Sequence, residues 1–93
     1  MAKGYWITCY RSVPEEATLA KYASVAGPAI EARGGRFLAR GKPVKTYEFG
    51  LDQRVVIIEF ESTENAIEAY ESPEYQAALA ILKDSAERDV RII

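Results

Sequence analysis

Arg40 and Glu59 are the two side chains of this 93-residue chain whose types and surroundings could do chemistry together. Arg40 closes the stretch Gly34-Gly35-Arg36-Phe37-Leu38-Ala39-Arg40-Gly41, and Glu59 interrupts an apolar run from Val55 to Phe60. A guanidinium offers a planar fork of donors that can hold a carboxylate or an enolate through paired hydrogen bonds. A carboxylate among apolar neighbours has its pKa raised by desolvation and can serve as a proton-transfer base. If the strands carrying them pair, both groups project into one semi-enclosed space. Glu59 would move the proton and Arg40 would stabilise the developing anion. The bland alternative is a structural salt bridge between them, since buried charges are normally paired.

Six tyrosines surround this pair in the sequence, at 5, 10, 22, 47, 70 and 75. A pocket tyrosine can donate to a carbonyl or phenolate and supply an aromatic wall. Tyr22, Tyr70 and Tyr75 are the candidate ligand-binding residues, because helical residues over a sheet can line a cleft at its edge. Arg36 joins them as a second cation on the strand of Arg40. The acid-free run Arg33, Arg36, Arg40, Lys42, Lys45 could steer an anionic ligand. It could also meet the acidic series Glu59, Glu61, Glu64, Glu68, Glu71, Glu74 as complementary surface.

Absences narrow the chemistry further. The chain has no histidine, so the usual imidazole base and metal ligand are missing, along with the commonest haem ligand. Cys9 is the only cysteine, which excludes an intrachain disulfide or a cysteine zinc site, and it reads as an inert core thiol. The acid spacing offers no metal site, and Gly34-Gly35 is too short for a phosphate loop. No metal and no cofactor are expected. A net charge of −2 argues against nucleic-acid binding. No apolar run approaches the ~20 residues of a membrane helix, and the N-terminus lacks a signal-type core. The expectation is a soluble cytoplasmic protein, with residues 1–93 forming one domain.

The elements that must position these groups follow from the pattern. Residues 4–11 read as a strand with Tyr5, Ile7, Cys9 and Arg11 on one face and Trp6, Thr8 and Tyr10 on the other. Pro14-Glu15-Glu16 opens a helix, Gly27-Pro28 should kink or split it, and Gly34-Gly35 ends it. In the strand 36–41, alternation sets Phe37 and Ala39 against Arg36, Leu38 and Arg40. Val44 to Phe49 could continue it, and residues 50–53 are turn material. Arg54 to Phe60 is a central strand, apolar on both faces. Ser62 or Thr63 caps the next helix, and Ser72-Pro73 ends it and starts another, with Tyr75, Ala78, Leu79, Leu82 and Ala86 as its apolar stripe. Asp89 to Ile93 closes the chain as a strand.

The order β-α-β-β-α-(α)-β is a split-βαβ, ferredoxin-like α+β pattern with a four-stranded antiparallel sheet. The chain's own helices cover one face. The other face still carries large apolar residues, and an exposed apolar face of that size marks an interface. The expected partner is a second copy, packed sheet to sheet as a homodimer.

Four segments carry a resemblance that spans essentially the whole chain. They are Gly4-Tyr5-Trp6-Ile7, the stretch from Gly34 to Gly41, Val56-Ile57-Ile58-Glu59-Phe60 with Ser62, and Ala69-Tyr70-Glu71-Ser72-Pro73-Glu74-Tyr75-Gln76. Together they resemble the small bacterial domain-of-unknown-function family thirteen-thirty. The resemblance implies a ferredoxin-like fold paired as a dimeric α/β barrel. That wider superfamily includes cofactor-independent quinol monooxygenases, muconolactone isomerases, haem-binding peroxidases and members with no known chemistry, so an activity does not follow from the fold. Lys42 stands where a second glycine is expected, and Leu79 and Leu82 where many relatives carry Lys and Arg. A ligand here would then be less anionic than in relatives, or would lean on Arg40. The functional expectation is a homodimer binding a small carbonyl, carboxylate or aromatic ligand between sheet and helices, with cofactor-independent acid/base catalysis open to it. The alternative is a non-catalytic ligand-sensing or accessory homodimer in which Arg40 and Glu59 are structural.

Overall fold

Alternation in the first strand decides which face of the sheet is the inside. In β1 (Gly4–Ser12), Trp6, Thr8 and Tyr10 are buried, while Cys9 and Arg11 on the other face are exposed. The computed structural model describes residues 2–93 and continues with α1 (Glu16–Ala32), β2 (Arg36–Gly41), β3 (Val55–Phe60), α2 (Thr63–Glu71), α3 (Pro73–Leu82) and β4 (Glu87–Ile92). The strands form one antiparallel sheet in the order β2-β3-β1-β4, the ferredoxin-like α+β arrangement. The two strands that are apolar on both faces, β1 and β3, lie in the middle.

Register extends the inner face across the sheet. Trp6 sits between Ile58 and Ile92, Thr8 between Val56 and Val90, and Tyr10 beside Arg88. Tyr22, Ala26, Ala29 and Ile30 of α1, Ala66 and Ala69 of α2, and Tyr75, Ala78 and Leu82 of α3 complete the core. Trp6 is its centre, stacked on Phe60 at 6.3 Å and edge-on to Tyr75 at 4.8 Å between ring centroids. Its indole N–H donates to the Thr8 hydroxyl at 2.8 Å, so neither buried polar group is orphaned.

The helix ends follow local chemistry. Ser62 accepts from the Asn65 N–H, which makes it the cap of α2 rather than Thr63. Ser72 accepts from the Tyr75 N–H and donates to the Ala69 carbonyl, closing α2 and opening α3, with Pro73 at the first helical position. Gly34 adopts φ +89°, the left-handed region that glycine enters without a Cβ penalty, and its N–H caps the Glu31 carbonyl. At Gly4 the constraint is space. A Cβ there would lie 2.5 Å from the backbone of Ser62 and Thr63, at the start of α2. Gly4→Ala is therefore expected to cost about 1–3 kcal/mol, read as a drop in thermal midpoint; an unchanged midpoint would show that α2 can yield there.

Several expectations are corrected. α1 starts at Glu16 and runs unbroken past Pro28, so the helix is not split. Residues 44–49 form no strand, and the segment between β2 and β3 leaves Val44, Tyr47 and Phe49 projecting from the chain, Phe49 at 99% exposure. Ala86 lies beyond the end of α3, and β4 begins at Glu87 rather than Asp89. Cys9 is exposed and not a core thiol, because its face of the sheet is covered by no element of this chain among the described residues.

The last correction moves the arginines. Phe37 pairs with Ile58 and Arg40 with Val56, but the register shifts between Phe37 and Ala39, and Ala39 pairs with Ile57. Residues directly opposite in an antiparallel pair share a face, so a bulge at Leu38 flips the alternation. Phe37 and Arg40 point to the helix side, whereas Arg36 and Ala39 point to the open side. The two arginines expected on one face stand on opposite faces.

Candidate functional site

Small residues leave a gap under α1. Ala26 and Ala29 of α1 and Ala78 of α3 are buried, and the two helices lie close together, while α1 keeps farther from the strands. The space left between the middle of α1 and the inner sheet face is a cleft of about 50 Å³. Trp6, Phe37, Val56 and Ile58 floor it, with Leu19, Tyr22 and Ala23 opposite. Three guanidiniums line it as well: Arg40 from β2, Arg54 just ahead of β3, and Arg88 from β4. No carboxylate lines it, and none of the three makes an ion pair among the described residues.

Arg88 is anchored deepest. It donates to the Tyr22 and Tyr75 hydroxyls, each at 3.2 Å, and lies over the rings of Tyr10 and Tyr22. The two hydroxyls are themselves 2.6 Å apart. Burial is the main force on both tyrosines and pushes their pKa values up, so both stay protonated at neutral pH. Burial also works against the charge of Arg88, but the two tyrosine oxygens override it and the guanidinium keeps its proton. Arg40 stacks on Phe37 at 4.2 Å from its centroid, a cation–π contact that holds its charge near the mouth.

Glu59 belongs to a different place. It lies on the open face, where it accepts from Arg36 and, at 3.3 Å, from the Tyr5 hydroxyl. The Arg36 hydrogen bond holds its carboxyl below the usual carboxylate range and outweighs the upward pull of desolvation. This is the reverse of the raised pKa expected for a base in an apolar pocket. The partner of Glu59 is Arg36, which lies directly opposite it in the β2–β3 register, and the bulge at Leu38 puts Arg40 behind the sheet. Part of the basic run is likewise taken up within the chain, Arg33 pairing with Glu74 at 2.9 Å.

The sign of the resulting pH dependence follows. A carboxyl with a lowered folded-state pKa stabilises the fold above its ordinary value, and that stability is lost as pH falls through the lowered value. Glu59, Glu61, Glu74 and Asp89 all shift this way. Stability should therefore decline as pH is lowered from about 4.5, and Glu59→Gln should flatten part of that decline in thermal midpoints taken from pH 6 to pH 3. An unaltered slope would mean that the Arg36 pair is not coupled to folding.

Of the residues expected to form a site, Tyr22, Tyr75 and Arg40 are brought to the cleft or its back wall. Arg36 and Glu59 meet each other on the open face. Tyr70 packs on Trp6 and Tyr75 and lines a separate shallow groove with Ile67, Glu71, Val90 and Ile92. Sequence reasoning missed Arg54 and Arg88. The signal was there: followed back from Ile58, alternation passes through Val56 to Arg54, and from Ile92 through Val90 to Arg88.

Solved structures similar to this chain share its fold. A protein of unknown function from Rhodopseudomonas palustris, RPA0582, matches at TM-score 0.69 and 17% identity, covering 98% of this chain and 80% of that one. A dimeric ferredoxin-like protein of unknown function from Thermobifida fusca matches at TM-score 0.68 and 16% identity, covering 98% and 89%. SnoaB, a cofactor-independent oxygenase from Streptomyces nogalater, matches at TM-score 0.64 and 11% identity, covering 100% and 92%. No curated protein matches the chain. The family profile described as a domain of unknown function, DUF1330, matches residues 3–93.

Proposed function

The chain belongs to the DUF1330 family, whose description names no activity, and from the cleft we propose that it is a homodimer binding a small organic molecule between its sheet and α1. The observation that carries this reading is an aromatic-walled cleft lined by Arg40, Arg54 and Arg88 with no carboxylate to pair them. Three like charges beside one cavity repel each other, so the arrangement is at its most stable with an anionic or strongly accepting guest. The cleft presents no carboxylate, and the hydroxyls of Tyr22 and of Tyr75 behind it are held protonated. That favours binding over proton abstraction by the protein.

The dimer reading rests on the open face. Tyr5, Ile7, Val55, Ile57 and Ala39 share it, and the segment between β2 and β3 adds the exposed Val44, Tyr47, Phe49 and Leu51. Packing two such faces together would remove this apolar surface from water. Similar solved proteins from Thermobifida fusca and Bacteroides fragilis are described as dimeric. None of the described helices is long and apolar enough to cross a membrane, and a cytoplasmic setting accords with the reduced, unpaired Cys9.

A second reading draws on the likeness to SnoaB. It keeps Glu59 as base in cofactor-independent catalysis, without Arg40, which stands on the opposite face of the sheet. It requires substrate to reach Glu59 on the open face, inside the dimer, apart from the cleft.

The test is ligand-induced thermal stabilisation across small carboxylates, phenols and quinones, on wild type and Ala23→Phe. Ala23 is exposed on the cleft wall, so a ring there blocks entry without filling the core. At a ligand concentration of 100 Kd the expected stabilisation is about 2.7 kcal/mol, and it should vanish in Ala23→Phe. Stabilisation that persists in this variant places the ligand elsewhere.

A further inference from the structure

We infer that the cleft takes the carboxylate of a small organic acid, held by Arg40, Arg54 and Arg88 and by the hydroxyl of Tyr22, which Tyr75 sets as a pure donor. This names the ligand class for the site proposed above and rests on that reading.

Each phenol has one proton to give and two lone pairs to receive with. Tyr22 and Tyr75 share one hydrogen bond at 2.6 Å, which uses one of their two protons, and each oxygen accepts one bond from Arg88. The second proton has no acceptor among the described residues. If Tyr22 donated to Tyr75, the spare proton would sit on Tyr75, which is fully buried against Trp6 and Tyr70 and does not line the cleft. That would strand a buried donor. With Tyr75 donating to Tyr22, the spare proton sits on Tyr22, which does line the cleft. Both lone pairs of Tyr22 are then occupied, by Tyr75 and by Arg88. Tyr22 therefore offers the cleft a proton and no lone pair.

A site built this way favours an acceptor over a donor. Arg88 spends only two of its five N–H groups on the tyrosines, and Arg40 and Arg54 have no ion-pair partner among the described residues. Of the other polar side chains lining the cleft, the Thr8 hydroxyl already accepts from Trp6 and the Tyr10 hydroxyl can donate or accept, so donors outnumber acceptors and the net charge beside the ligand is positive. Carboxylate fits better than phosphate. The cleft faces the middle of α1 and not its N-terminus, its walls are largely apolar, and about 50 Å³ admits an anionic head group and not a whole aromatic ring. The rest of the acid lies at the mouth, beside Phe37.

The test is titration calorimetry with benzoate, benzamide and inorganic phosphate on wild type, Arg54→Gln, Tyr22→Phe and Ala23→Phe. Benzoate should bind at least tenfold more tightly than benzamide, which is neutral and brings N–H groups to a donor-rich, positively charged cleft, and more tightly than phosphate. Arg54→Gln and Tyr22→Phe should each weaken benzoate about tenfold while narrowing its margin over benzamide. Arg54 makes no ion pair, so its variant keeps the result interpretable if Tyr22→Phe disturbs the core. Benzamide equal to benzoate, phosphate tighter than benzoate, or no benzoate binding at millimolar concentration would overturn the carboxylate assignment. If a neutral ligand is then lost in Ala23→Phe, the cleft remains the site. Benzoate binding that survives Ala23→Phe would overturn both.

Discussion

Replacing Trp6 by alanine should lower stability by about 3–5 kcal/mol, the largest single-residue loss expected in this chain. Trp6 is 1% exposed and holds together residues from four elements, stacking on Phe60 and meeting Tyr70 and Tyr75 edge-on. Its removal leaves a cavity under α2 and α3 and strips the buried Thr8 hydroxyl of its indole donor. For a domain of this size the thermal midpoint should fall by roughly 15 °C or more, measured at fixed protein concentration because association would shift it. Trp6→Phe separates the two contributions: it keeps a ring but orphans Thr8, at about 1–3 kcal/mol. A midpoint drop of only a few degrees in Trp6→Ala would mean that Tyr70 and Tyr75 collapse into the space.

Ile57→Asp should abolish the proposed dimer. Ile57 lies between Ile7 and Ala39 at the centre of the open face, and no element of its own chain covers it among the described residues. The monomer can hydrate a carboxylate there. In a sheet-to-sheet dimer that carboxylate would be stripped of water beside Ile7 and Ala39, a cost of several kcal/mol. Sedimentation equilibrium should show the dissociation constant rising at least about 100-fold, with the circular dichroism spectrum of the fold retained. A variant that stays dimeric would put the interface elsewhere, and the exposed Val44, Tyr47 and Phe49 segment would be the next surface to alter.

Much of the fold was legible because it is decided locally. Ser72-Pro73 supplies a cap and a first helical residue wherever it sits, and Gly34 permits the turn that ends α1. The apolar runs of β1 and β3 mark central strands because both faces need cover. What could not be read was decided by pairing. The bulge at Leu38 exists only in the register of β2 against β3, and nothing in Arg36-Phe37-Leu38-Ala39-Arg40 announces it. That single residue separates Arg40 from Glu59 and undoes the catalytic pair that strict alternation implied. Val44, Tyr47 and Phe49 read as strand from their composition, yet all three side chains are exposed. Arg88 was missed for a simpler reason. Starting β4 at Asp89 left out the one arginine whose face, shared with Val90 and Ile92, points inward.

The most direct measurement is a crystal structure of the protein grown with 4-bromobenzoate, the bromine locating the ligand by anomalous scattering. The expected result is a carboxylate within hydrogen-bonding distance of the Tyr22 hydroxyl and of the Arg88 guanidinium, with the ring at the mouth beside Phe37. Bromobenzoate bound only on the open face beside Arg36, with the cleft under α1 holding water alone, would contradict it.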